Sequence, residues 1–150
     1  MEKEFVPYEL ALRLKALGFN EKCYGYFTRD KEFFYFDVDD LSSAYTKNMD
    51  NLVVNSVNGL ECTAPLYQQA FRWFREKYNI HAEITWSPSY EYDPGEWSDA
   101  IYEITFVDVS YTKEWKAESP DMQRGNGKQL TYEEAELACL EKLIEIVKEK

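Results

Sequence analysis

Thr-Ala-Pro-Leu-Tyr-Gln-Gln-Ala-Phe-Arg-Trp-Phe-Arg-Glu-Lys-Tyr-Asn-Ile-His-Ala-Glu-Ile-Thr-Trp, residues Thr63–Trp86, holds a helix and a strand back to back. Tyr67, Ala70, Phe71, Phe74 and Tyr78 recur at the spacing of one buried helix face. Pro65 suits a first turn, where its missing N–H has no helical partner to lose. Arg72, Arg75 and Lys77 fall toward solvent or the last turn, where cations complement the helix dipole. Asn79 is placed to close the helix, because Asn adopts the left-handed conformation more readily than most residues. The period then changes to two. Ile80, Ala82, Ile84 and Trp86 point one way and His81, Glu83 and Thr85 the other, which is a half-buried strand.

Outward from this centre, Phe5–Phe19 reads as a helix with Leu10, Ala11, Leu14 and Leu17 as its stripe and Pro7 in its first turn. Gly18 is its C-terminal cap, and Phe19 folds back onto Leu14. Cys23–Thr28 and Glu32–Val38 are aromatic-rich strands around the turn Arg29-Asp30-Lys31. Asp39–Cys62 is the least regular stretch, a long connection with a short edge strand at Leu52-Val53-Val54. Ser87–Asp99 carries Pro88, Pro94-Gly95 and several aromatics. Ala100–Val109 resumes as a strand, and Ser110–Ala117 adds another through Tyr111 and Trp115. Glu118–Leu130 is loop. Thr131-Tyr132-Glu133-Glu134 is a capping box, and it opens a helix whose apolar face is Ala135, Cys139, Leu140, Leu143, Ile144, Ile146 and Val147. The order α-β-β-α-β-β-(β)-α predicts one α+β domain over 1–150, an antiparallel sheet with three helices packed on one face.

Composition narrows the function classes. With 150 residues, 45% of them hydrophobic, the chain is long enough for one core. No apolar run is long enough to span a membrane, and the first residues lack a secretory pattern. Cys23, Cys62 and Cys139 are too far apart for a zinc knuckle or a disulfide framework, and they fit a reducing cytoplasm. The net charge of −11 disfavours non-specific binding to nucleic acid, which needs clustered Lys and Arg.

The charge is uneven. Between His81 and Thr112 there is no Lys or Arg, yet Glu83, Glu91, Asp93, Glu96, Asp99, Glu103 and Asp108 all lie there. Within this span Trp86, Tyr90, Tyr92 and Trp97 alternate with Glu91 and Asp93. Tyr and Trp anchor protein interfaces, because they bring much area with few rotatable bonds. Acidic surroundings then favour a basic protein partner, such as the DNA-binding face of a host protein. The competing reading has Trp86 and Trp97 capping the sheet core above a solvated acidic face.

Catalytic and metal constellations are thin, so neither a catalytic residue nor a cofactor is assigned. His81, the single histidine, sits beside Glu83 on the polar side of a strand, and a surface histidine is its plainer reading. Asp37, Asp39 and Asp40 lack the calcium-loop spacing and its central Gly, and Asp at a strand end commonly starts a turn. Gly125-Asn126-Gly127-Lys128 misses the upstream Gly of a phosphate loop and has Gln129 in place of its hydroxyl. Dimerisation through the last helix or a free sheet edge stays open.

Two resemblances add to this. Gln68–His81, with its phrase Gln-Ala-Phe-Arg-Trp-Phe-Arg-Glu-Lys-Tyr, and Thr131–Lys148, with Tyr-Glu-Glu-Ala-Glu-Leu-Ala-Cys-Leu-Glu-Lys-Leu-Ile-Glu-Ile-Val, together with the opening around Phe5–Phe19, resemble a group of small proteins from gut bacteria and their phages that have no assigned function. That resemblance implies a soluble protein carried on mobile or viral DNA and brings no catalytic residue. The helix–three strands–helix order over Thr63–Lys150 looks like a double-stranded-RNA-binding domain, whose lysines at the start of the last helix touch phosphates. Here Tyr132, Glu133 and Glu136 stand at those places, and carboxylates repel phosphates. RNA binding is accordingly the alternative to a protein partner.

Overall fold

A hairpin and one returning strand build the sheet of the first of two compact units, Met1–Ala70 and Phe71–Lys150. The computed structural model of the chain describes residues 2–35, 49–87, 91–93, 96–97, 101–108, 114–117 and 131–149, with side chains for 3–35, 49–86 and 131–149. The class is α+β, with antiparallel pairing throughout.

In the first unit, helix α1 (Tyr8–Ala16) buries Leu10, Ala11 and Leu14. Pro7 stands one place ahead of the first turn, as the N-cap, and its carbonyl accepts the Ala11 N–H at 2.9 Å. Its fixed φ suits either place, since neither needs an N–H donor. At the other end Gly18 has φ +88°, the Gly18 N–H donates to the Lys15 carbonyl, and the Phe19 N–H donates to the Leu14 carbonyl. These two bonds define a Schellman cap, and Phe19 and Leu14 are both buried beside it.

Strand β1 (Gly25–Thr28) pairs with β2 (Phe33–Tyr35) across a tight turn in which Lys31 takes φ +66°. A third strand, β3 (Leu60–Ala64), lies on the other side of β1, giving the order β2-β1-β3. Alternation sends Phe27 toward α1, where its ring meets Tyr8 edge-on at 5.5 Å. Its neighbour Tyr26 faces the opposite way and packs with Leu60 against buried Met49 and Val54. Gly25 is required by close approach: a Cβ there would stand 2.7 Å from the Phe33 ring and 3.3 Å from the Ala64 Cβ.

The segment 49–64 corrects the sequence reading. Leu52-Val53-Val54 is not an edge strand; it lies in a short helix, α2 (Asn51–Ser56), so a fourth helix joins the three expected. Asp50 caps this helix, its carboxylate accepting the N–H groups of Leu52 and Val53 at 3.0 Å each. The strand of this region is β3, which takes up Thr63 and Ala64 ahead of the next helix.

Helix α3 (Tyr67–Tyr78) carries the chain from the first unit into the second. Leu66 is in N-cap position, with its carbonyl accepting the Ala70 N–H and its own N–H donating to Gln69 Oε1 at 3.0 Å. Pro65 thus precedes the cap instead of entering the first turn. Tyr67, Ala70 and Phe74 are buried as their spacing predicts, Phe71 and Tyr78 of the same face are half-buried, and Trp73 joins the buried set. Asn79, at φ +55°, ends the helix.

The strands of the second unit form a separate sheet, not an extension of the first. Strand β4 (Ile80–Ser87) is followed by a two-stranded ribbon, β5 (Glu91–Asp93) and β6 (Glu96–Trp97). Strands β7 (Ile101–Asp108) and β8 (Glu114–Ala117) complete the sheet β4-β7-β8. Helix α4 (Tyr132–Lys148) packs on β4 and β7. Its capping box is present as predicted: the Glu134 N–H donates to Thr131 Oγ1 at 3.2 Å, and the Thr131 N–H donates to Glu134 Oε2 at 2.8 Å. Ala135, Cys139, Leu140, Leu143, Ile144 and Ile146 are buried.

Candidate functional site

The acidic hairpin is built on β4 and β7, which pair over their whole length from Ile80↔Asp108 to Ser87↔Ile101. The Glu91↔Trp97 pair of the ribbon falls in that same register, four residues further along each strand. The register then slips by one, so that Asp93 stands opposite Glu96.

Along β4 the predicted alternation is present but fades. Ile80 is fully buried, Ala82 and Ile84 are half-buried, and Trp86 is 56% exposed. His81, Glu83 and Thr85 are exposed on the other side. Trp86 therefore does not cap the core; its indole stands in solvent on the end of β4 that leads to the ribbon, with Tyr102 as its register partner. Of the remaining candidates, Glu91, Tyr92 and Asp93 make up β5, while Trp97 ends β6. Glu91 and Trp97 are brought together as a register pair. Tyr90 lies outside the described residues.

The competing chemistries find less. His81 is paired in register with Val107 on an exposed strand face. Among the described residues no group of three His, Cys, Asp or Glu side chains could hold a metal ion. Asp37, Asp39 and Asp40, and Gly125 through Lys128, lie outside the described residues. Where an RNA-binding helix would open with lysines, α4 opens with exposed Tyr132 and Glu133. Glu136 behind them has its carboxyl pKa raised, first by burial and then by the nearby Glu133. The second cause is the like charge of Glu133, and a phosphate brought to this end of α4 would add a further negative charge to the pair.

All three cysteines are unpaired and buried, and burial pushes each thiol up to about 12. At Cys23 the neighbouring Thr63 hydroxyl pulls the other way, and that buried hydroxyl has no conventional partner among the described residues. Such thiols are core fillers and not nucleophiles.

Sequence reasoning missed the exposed apolar residues of the first unit: Tyr24 at 54%, Phe34 at 43%, Tyr35 at 46%, Leu52 at 70% and Val53 at 42%. Leu52 and Val53 were hidden by their strand-like composition, which masked the Asp50 cap that turns them into a helix. No described helix is long and apolar enough to cross a membrane. No protein-family model, curated protein or solved structure matches the chain.

Proposed function

We propose that this chain is a non-enzymatic interaction protein that engages a basic protein partner through the β4–β7 hairpin and its ribbon. The observation that carries this reading is Trp86, a large indole left 56% exposed beside a stretch with seven carboxylates and no cation. An exposed aromatic supplies the desolvated anchor of an interface, and the surrounding charge steers a basic surface toward it. Tyr90, Tyr92 and Trp97 extend the anchor and Glu91 and Asp93 its charge. The resemblance to small proteins of gut bacteria and their phages fits a role in redirecting a host protein in the cytoplasm.

Affinity capture from host lysate tests this, with wild type compared to Trp86→Ala and to Tyr90→Ala combined with Tyr92→Ala. The expected result is a basic protein retained at low salt, lost as salt rises, and lost in both variants. Retention undiminished in both variants would move the surface elsewhere.

A second reading has one observation in its favour. The order α3-β4-β7-β8-α4, with the ribbon β5-β6 inserted between β4 and β7 and with α4 on the sheet, resembles that of a double-stranded-RNA-binding domain. Arg72, Arg75 and Lys77 on α3, with Lys128, would make its phosphate contacts. A salt-sensitive mobility shift with duplex RNA supports that reading, and none at low salt removes it.

A further inference from the structure

Strand β4 is an edge strand eight residues long, and among the described residues nothing pairs with its outer side. Natural edge strands are commonly guarded by Lys, by Pro, by a bulge or by shortness. Here Ile80–Ser87 has no Lys, no Pro and no register shift against β7. The edge of β3 shows the contrast. There the outward-facing groups are taken up by side chains and by the N-terminal segment: Lys15 Nζ donates to the Glu61 carbonyl, the Thr63 N–H donates to Asn51 Oδ1, and the Val6 N–H donates to the Pro65 carbonyl.

We infer that the outer edge of β4 pairs antiparallel with β4 of a second copy, about a two-fold axis at Ile84. Facing residues of an antiparallel pair share a sheet face, so a two-fold that keeps both apolar faces on one side must be centred on a residue. Centring on Glu83 sets that carboxylate against itself. Centring on Ala82 runs the ladder into Asn79, whose positive φ breaks the strand. Centring on Thr85 shortens the ladder at its other end. The axis at Ile84 leaves His81 through Ser87 fully paired. It sets Ile84 against Ile84, Glu83 against Thr85, and Trp86 against Ala82, so each exposed indole gains an apolar neighbour from the other copy. No like charges meet. Such pairing joins two three-stranded sheets into one of six. The inference shares Trp86 with the partner reading, but its test reads self-association of the chain alone, with no partner present, so the two fail separately.

Sedimentation velocity over a wide concentration range tests it on the full chain. Thr85→Lys sets an ammonium against Glu83 of the other copy, and its register partner on β7 is Glu103, so the monomer loses nothing. The two opposite-charge pairs per dimer tighten association by about tenfold. Adding Glu83→Lys, whose β7 partner is Thr105, turns both into like-charge pairs, and the dimer weakens below wild type. Thermal melts of both variants confirm that the monomer is intact. A wild-type chain that stays monomeric at every concentration overturns the inference. So does a dimer whose affinity ignores the reversal of charge.

Discussion

Asn51 shows how much of the first unit hangs on one polar side chain. It is 4% exposed, at the first position of α2, and it bonds to two distant parts of the chain. Its Nδ2 donates to the Phe19 carbonyl at 2.8 Å, and its Oδ1 accepts the Thr63 N–H at 2.9 Å. The first satisfies a carbonyl just past the cap of α1, and the second closes a donor on the outer edge of β3. A buried peptide group left without a partner costs about 1–3 kcal/mol. Asn51→Ala orphans one acceptor and one donor together, so it destabilises by about 2–4 kcal/mol. A denaturant melt with unchanged m-value is the measurement, and a loss below about 0.5 kcal/mol, the range of ordinary surface substitutions, would show that water replaces both bonds. Nothing local marks Asn51 in the sequence. An Asn in a polar stretch reads as loop, and its importance comes from partners at separations of 32 and 12 residues.

Among the secondary-structure elements, legibility follows how much of the determining chemistry is local. The capping box at Thr131, the Schellman cap at Gly18 and the closing Asn79 are set by residues within one turn, and all three are where the sequence puts them. Replacing Thr131 by Ala removes the acceptor of the Glu134 N–H and leaves the other half of the box, the backbone N–H of position 131 donating to Glu134 Oε2, in place, at a cost of about 1 kcal/mol. Hydrogen exchange in the first turn of α4 should rise in that variant while the buried turns around Leu140 and Ile144 stay protected. Equal loss along the whole helix would mean that the cap holds α4 in place and does not merely finish it. Helix α2 was illegible for a converse reason. Leu52, Val53 and Val54 favour strand by composition, and only six residues are available to show a helical period. Parity along β4 was legible, since it predicts which face Trp86 shares with Ile80. How far that face is covered depends on the packing of α4, and so the exposure of Trp86, on which the candidate site rests, had to come from the structure.

For the whole molecule, the open matter is whether Met1–Ala70 and Phe71–Lys150 open together or separately. Helix α3 belongs to both: Tyr67 and Ala70 are buried on the first side of the boundary, and Trp73 and Phe74 on the second. A continuous helix cannot melt in one unit without fraying the start of the other, because each turn is held by hydrogen bonds to the turn before it. One cooperative transition is therefore expected, in keeping with a single domain. The cysteines report on each half, with Cys23 and Cys62 in the first unit and Cys139 in the second. Each is buried with its thiol pKa near 12 against an ordinary 9, so the folded protein resists alkylation at neutral pH and the label counts openings. Variants retaining only Cys62 or only Cys139 should become reactive at the same denaturant midpoint. Separate midpoints would make the units autonomous and the chain a two-domain protein. The same thiols contribute to the loss of stability at alkaline pH. A folded-state pKa raised above the unfolded one favours folding fully below about pH 9, and that contribution is lost as pH rises toward 12. Cys139→Ala should flatten the alkaline loss of stability in part, and a profile unchanged by the substitution would place its cause in other groups.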